Sequence, residues 1–275
     1  MIYEYAIDPE IAADSKNLQI LENYFGFQYS RYISTFPKKW TKDIICQARE
    51  KGNINGAKVV ELLDILKNRK ALKASGRTYN SMISWEKNAM SASPEFYCIV
   101  HENHVKISAI SSEHEKFNTP IKWRFKKSIE NLEEQFSFVF EKGKVIYIID
   151  PYFDPTSQPF QESFNKFFEI LAGRPDLSEV EIKFCISSKG DHRPFRMGEE
   201  EKAKTQTLQN INTREFDNIQ FFIKSEDMHA RYLFCDEICM RADHSFNVDA
   251  SSSVNVNLET WDTVNELKKI YFDEE

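Results

Sequence analysis

Apolar positions along this chain follow two different rhythms. Up to about residue 90 they recur every three or four residues, as on one face of a helix. Leu18, Ile20, Leu21, Tyr24 and Phe25 form one such stripe, stopped at Gly26. Pro37 stands near a second start, followed by Trp40, Ile44, Ile45 and Ala48 and a stop at Gly52. Val59, Leu62, Leu63 and Leu66 mark a third helix, with Lys67, Arg69, Lys70 and Lys73 at its electronegative end. The segment NSMISWEKNAM predicts a fourth. Residues 96–110 (FYCIVHENHVKISAI) read as a hairpin turning at His101-Glu102-Asn103.

From residue 128 the rhythm changes. SIENLEEQFSFVFEKG predicts a helix capped by Ser128 and stopped at Gly143. Continuous apolar runs follow in KVIYIID, VEIKFCISS and IQFFIK, separated by the amphipathic NKFFEILAGRP and the polar EEEKAKTQTLQNIN. Two further β-prone runs (Tyr232, Leu233, Phe234, then Ile238, Cys239, Met240) precede a last helix, TWDTVNELKKIYF. Continuous apolar strands alternating with helices predict an α/β protein whose central sheet is covered on both faces. The expected division is a small helical module over 1–93 and an α/β domain over 94–275.

Composition sharpens that division. Residues 1–90 hold 14 Lys and Arg against 10 Asp and Glu, whereas the remainder holds 22 against 33, and all six histidines lie after residue 100. A mildly basic front, with Lys38, Lys39 and Lys42 on one helix, offers phosphate contacts to a nucleic acid. The acidic remainder argues against tight non-specific duplex binding by the isolated chain. At 41% hydrophobic residues, with 22 Phe, the chain carries enough apolar surface for substantial cores. No run of about 18 apolar residues suggests a membrane span. The start MIYEYAIDPEIAADS lacks the basic-then-apolar order of a signal peptide. Five cysteines without zinc spacing suit reduced thiols, and the expected location is cytoplasmic.

The stretch that carries chemistry is IQFFIKSEDMHARYLFCDEICMRADHSFN, residues 219–247. His229, Arg231 and Asp236 form H-x-R-x4-D, and His244, Ser245 and Asn247 follow as H-S-x-N. On a strand, His229 and Arg231 would share a face, setting an imidazole beside a fixed cation. This pattern resembles the phospholipase D superfamily, whose signature is H-x-K-x4-D followed by G-S-x-N. Arg231 stands where the family has lysine, and His244 where it has glycine. An H-x-K at His104-Val105-Lys106 is no second copy, because Ser111 falls where the aspartate belongs.

The resemblance implies a phospholipase D-like α/β/α sandwich with a mixed central sheet, acting on phosphodiesters without cofactor or metal. It implies His229 as nucleophile through a phosphohistidine and Arg231 as the cation on the non-bridging oxygens. Ser245 and Asn247 would add hydrogen bonds, and Asp236 would fix local geometry by pairing with a nearby cation or a backbone donor. A second imidazole is needed for the leaving oxygen. A homodimer sharing two motifs across a two-fold axis would supply it, with His244 the alternative within the chain. Residues just past strand ends line ligand crevices in such sheets, which adds Asp150, Tyr152, Asp154, Ser187, Ser188, Lys189, Asp191, His192 and Arg193 as candidates to touch substrate or to support the groups that do. The basic front makes DNA or RNA the expected substrate, as in a prokaryotic nuclease or antiviral defence component, with a helicase or ATPase as an expected partner. The competing expectation is an inactive module of the same kind that binds nucleic acid, a phospholipid headgroup or a partner protein.

Overall fold

A computed structural model describes residues 2–274 apart from Ser112, Thr119, Asp191, His192 and Asp227. The chain divides into two bodies, Ile2–Ile121 and Lys122 onward. The break lies 28 residues beyond the one expected after residue 93.

The first body is not all-helical. The stripes at 18–25, 40–48 and 59–66 do form helices, but between them run four short strands. In chain order these are β1 (Tyr3–Ile7), α1 (Pro9–Ala12), α2 (Ser15–Tyr24), β2 (Arg31–Thr35), α3 (Trp40–Glu50), α4 (Asn53–Asn68), β3 (Leu72–Ala74), α5 (Trp85–Met90) and β4 (Cys98–Val100). The strands make one parallel sheet in the order β3-β2-β1-β4. Strands of three to five residues are too short to establish a two-residue period, and their partners are distant in sequence, as in Tyr5↔Cys98. That pairing places 94–121 in this body. The expected hairpin over 96–110 is absent: Cys98–Val100 pairs with β1, and His101 opens a turn. Helices and sheet close over Tyr5, Leu18, Leu21, Phe25, Ile33 and Trp40, all fully buried. The Trp40 indole N–H donates to the Ile7 carbonyl, so this large side chain leaves no unsatisfied polar atom.

The second body follows the expected alternation more closely. It runs β5 (Lys122–Lys127), α6 (Ile129–Lys142), β6 (Val145–Ile149), α7 (Gln158–Ala172), β7 (Glu181–Ser187), α8 (Glu200–Asn210), β8 (Ile219–Lys224), β9 (Arg231–Cys235), β10 (Ile238–Ala242), β11 (Asp249–Leu258) and α9 (Trp261–Phe272). The sheet is mixed, in the order β5-β11-β10-β9-β6-β7-β8. Strands β6, β7 and β8 are parallel, and the other neighbours are antiparallel.

Alternation along the strands places helices on both faces. Phe184 and Phe221 stack on each other and point to α7, where Phe164 meets Phe184. The intervening residues Tyr147 and Phe222 point the other way, onto Phe272 of α9. Ser128 caps α6 as expected, accepting from the Asn131 N–H. Gly143 ends that helix as expected, in an extended conformation (φ −63°, ψ 128°), and close packing is what requires a glycine there. A Cβ there would come within 2.8 Å of the Val139 carbonyl and 2.9 Å of Cys235 Cβ. Among the described residues no helix is long and apolar enough to cross a membrane.

Candidate functional site

The strand directions decide which motif residues can meet. β5, β6 and β10 end at the edge of the second sheet where β9 and β11 begin. Lys127 is the last residue of β5, Asp150 follows β6, and Arg231 opens β9. His244, Ser245 and Asn247 lie in the link from β10 to β11. His229 precedes β9 rather than lying on it, and is exposed. Asp236 sits in the β9–β10 turn at the opposite edge, about 17 Å of strand away. There it pairs with Lys268 of α9 at 2.9 Å, so it takes no part in the cluster around Arg231.

Asp150 is the organising group. It is fully buried, and its carboxylate accepts from the Ser245 hydroxyl (2.9 Å) and the Phe246 N–H (3.0 Å). The Tyr152 N–H adds a third bond at 3.1 Å. Of the two roles that its place past a strand end suggests, touching substrate or supporting the groups that do, the burial of Asp150 suits the second: it anchors the 245–247 link from beneath. Burial pushes its carboxyl above the usual range, while those three donors and the Arg231 charge pull the other way. Phe246 is buried against Phe136, edge to face, which fixes the link from its apolar side.

The cations come from two strands. One guanidinium nitrogen of Arg231 donates to the carbonyls of both His229 (2.6 Å) and Asp243 (3.2 Å). It thereby joins the segment entering β9 to the one leaving β10. Arg231 also lies over the Tyr152 ring at 4.9 Å, and Arg193 over the same ring at 3.8 Å. The second cation, Lys127, escaped the sequence reading. Its ammonium donates to Asn247 Oδ1 at 2.7 Å. Burial lowers its pKa and Arg231 adds to that, against the pull of Asp249 and Asp150. The signal available in the sequence was weak: one lysine among several in KWRFKK, on a strand whose apolar residues are only Trp123 and Phe125.

The β9–β10 ladder pairs Arg231 with Ala242. Continued two residues outward, that register would set His244 opposite His229. Both imidazoles are therefore carried by the same end of one hairpin, and both are exposed. A depression of about 320 Å³ opens beside His229, lined also by Arg241, Asp243, Asn255 and Asn257; His244 is not in its wall. A larger one, about 580 Å³, follows residues 208–217 and holds none of the motif residues. Lys189 is exposed beyond β7, while Asp154 folds back on Thr156. Lys38, Lys39 and Lys42 belong to the first body, exposed at the start of α3. Asp191 and His192 lie outside the described residues.

No protein-family model matches the chain, and no curated protein does. Among solved structures, it is similar to the archaeal chromatin protein TrmBL2, described as showing a novel mode of DNA binding. The identity is 13% and the TM-score 0.31, over 55% of this chain and 51% of that one. The matched part thus spans about half the length of that protein. A likeness this weak assigns neither fold nor function.

Proposed function

We propose that the second body is a phospholipase D-like α/β/α module whose site at 229–247 is a phosphodiesterase, acting on DNA or RNA. One observation carries this reading. A single sheet edge gathers an exposed imidazole, two cations from different strands and the Asp150-anchored Ser245–Asn247 link. These are the groups that attack on an esterified phosphate requires: a nucleophile, fixed positive charge for the non-bridging oxygens, and preorganised hydrogen bonds. Lys127 offers the compact ammonium that Arg231, with its broad planar fork, does not.

In this mechanism an imidazole nitrogen of His229 forms a bond to phosphorus while the bond to the leaving oxygen breaks. His244 gives its proton to that oxygen, then takes one from the water that cleaves the phosphohistidine. The shared hairpin end favours His244 over a second copy of the chain as the source of that acid. Bis-p-nitrophenyl phosphate and labelled single- and double-stranded nucleic acid, each assayed in EDTA, test the reading. His229→Ala should abolish turnover, and His244→Ala should lower it while letting a phosphorylated His229 accumulate. Equal rates for wild type and His229→Ala would remove the enzymatic reading.

One observation favours the inactive module instead. One nitrogen of the Arg231 guanidinium and the Ser245 hydroxyl are already engaged by internal acceptors. Under that reading nucleic acid binds, weakened by salt, with no cleavage.

A further inference from the structure

The first body holds a second cluster of chemical groups, unrelated to the motif at 229–247. Its sheet order, β3-β2-β1-β4, means the chain builds outward on one side of β1 and then returns to the other. Such a switch point, at the carboxyl ends of parallel strands, opens a crevice that loops cannot fill from both sides. Asp8 directly follows β1 and His101 directly follows β4, and the Asp8 N–H donates to the Val100 carbonyl between them. A cavity of about 370 Å³ lies at this point, with Asp8, Glu10, Asp43, Tyr79, Glu86 and His101 in its wall.

Three segments converge there. His101 begins a tight turn closed by the His104 N–H on the His101 carbonyl, which brings the two imidazoles to 5.9 Å between ring centres. Glu86 reaches them from the first turn of α5. Its Oε1 is 3.1 Å from His104 Nε2 and 3.8 Å from His101 Nδ1. The three ligand atoms all lie within 4.8 Å of one another. Around a zinc-sized ion with bonds of about 2.1 Å, tetrahedral ligand atoms stand about 3.4 Å apart. The two shorter separations bracket that edge.

What lies behind the ligands fits as well. Asp8 Oδ2 is 3.4 Å from the other nitrogen of His101, Nε2. The Asn103 N–H points at Nδ1 from 3.2 Å, which requires a lone pair on Nδ1 and leaves the ring proton on Nε2, facing Asp8. A carboxylate behind a metal-binding histidine fixes the tautomer and orientation in the same manner. Trp85 stacks on the His101 ring with an angle of 19° between planes, and its own N–H is held by the Phe36 carbonyl.

We propose that Glu86, His101 and His104 bind a divalent cation of the zinc type, with Asp8 as the outer carboxylate on His101. The ion's fourth position is left to water or a ligand entering the adjacent cavity. Two histidines and one glutamate select zinc or cobalt over magnesium and calcium, which prefer all-oxygen sites. Binding replaces the Asn103 contact on Nδ1 with a bond to the metal.

The test is titration of the chelator-stripped full-length chain with Co²⁺, read as the visible absorption of tetrahedral cobalt, followed by displacement with Zn²⁺. One equivalent should bind. His104→Gln and Glu86→Gln should each weaken binding at least about tenfold, Asp8→Asn by about tenfold, and His114→Ala should leave it unchanged. Circular dichroism shows whether each variant is folded. As a second measurement, Zn²⁺ should raise the wild-type melting temperature and Mg²⁺ should not. The absence of a tetrahedral cobalt spectrum in the wild type, or unchanged binding by a folded His104→Gln, would overturn the site. Because the readout is metal binding, its failure leaves the reading of the 229–247 site untouched.

Discussion

Asp150 and Ser245, 95 residues apart in the chain, meet in a 2.9 Å hydrogen bond beneath the edge where the motif residues gather. The contact ties the end of β6 to the link between β10 and β11, while the Arg231 charge acts on the same carboxylate without a hydrogen bond to it. Asp150→Asn cannot reproduce it: wherever the amide nitrogen points, one backbone N–H, of Tyr152 or of Phe246, loses its acceptor. The expected cost is about 1–3 kcal/mol at neutral pH, measured by urea unfolding. Because the folded-state pKa is raised, the stability this carboxyl contributes is greatest at low pH and falls as pH climbs from the unfolded value of 3.8 through the raised one. The variant should lack that segment of the profile.

Lys127 carries the opposite sign. Its folded pKa is lowered, so its contribution to stability rises as pH climbs through that value toward 10.5. Under the proposed function, only the ammonium form would hold phosphate. Protection of the wild type by inorganic phosphate, read as a rise in melting temperature, should therefore fade at a pH below the ordinary lysine range. Lys127→Arg should keep its protection there, because guanidinium stays charged. Lys127→Met should lose about tenfold in phosphate affinity at neutral pH, about 1.4 kcal/mol.

Asp236 belongs to the motif by spacing alone. Its partner is Lys268, and its side chain is 64% exposed. Asp236→Asn is expected to cost less than about 1 kcal/mol in chemical denaturation. It should leave phosphodiesterase rates within about twofold of wild type. A loss like that of His229→Ala would show that the turn acts on the far edge through the strand.

The thiols should separate cleanly. Cys46 is exposed, whereas Cys98, Cys185, Cys235 and Cys239 are buried. Burial pushes Cys98 up to about 11 and Cys235 up to about 12, with Cys185 and Cys239 also raised. An aromatic disulfide reagent at neutral pH should modify one thiol in the native chain and five after denaturation.

Gly143→Ala would force a methyl against the Val139 carbonyl, Cys235 and Ile146. Overpacking of this kind costs about 1–3 kcal/mol. The measurement is the shift of the urea-unfolding midpoint followed by far-ultraviolet circular dichroism.

Much of the second body was legible because its apolar runs are long and bounded by glycines and caps. β6, β7, β8, β9 and β10 fall on the runs KVIYIID, VEIKFCISS, IQFFIK, 232–234 and 238–240. β5 and β11 were not legible. KWRFKK and DASSSVNVNL are polar strands whose buried residues are Lys127, Val254 and Val256, with Trp123 and Phe125 only partly covered, so no hydrophobic period marks them. The same blindness hid Lys127, whose meaning depends on a strand pairing between Lys127 and Asp249. In the first body the helices were visible and the sheet was not, since three- to five-residue strands find partners that local pattern cannot see. The motif located His229, Arg231, Ser245 and Asn247 at one edge, but spacing could not reveal that Asp236 faces away from them.

Both β-sheets close their ladders internally, one between Tyr3 and Val100 and the other between Lys122 and Leu258. Among the described strands none belongs to both sheets, and each body has fully buried apolar residues of its own. Heating this polypeptide should give a calorimetric trace that needs two transitions to fit, and one midpoint temperature will not describe it. Ligands then become labels for the peaks: zinc should move one endotherm and phosphate the other.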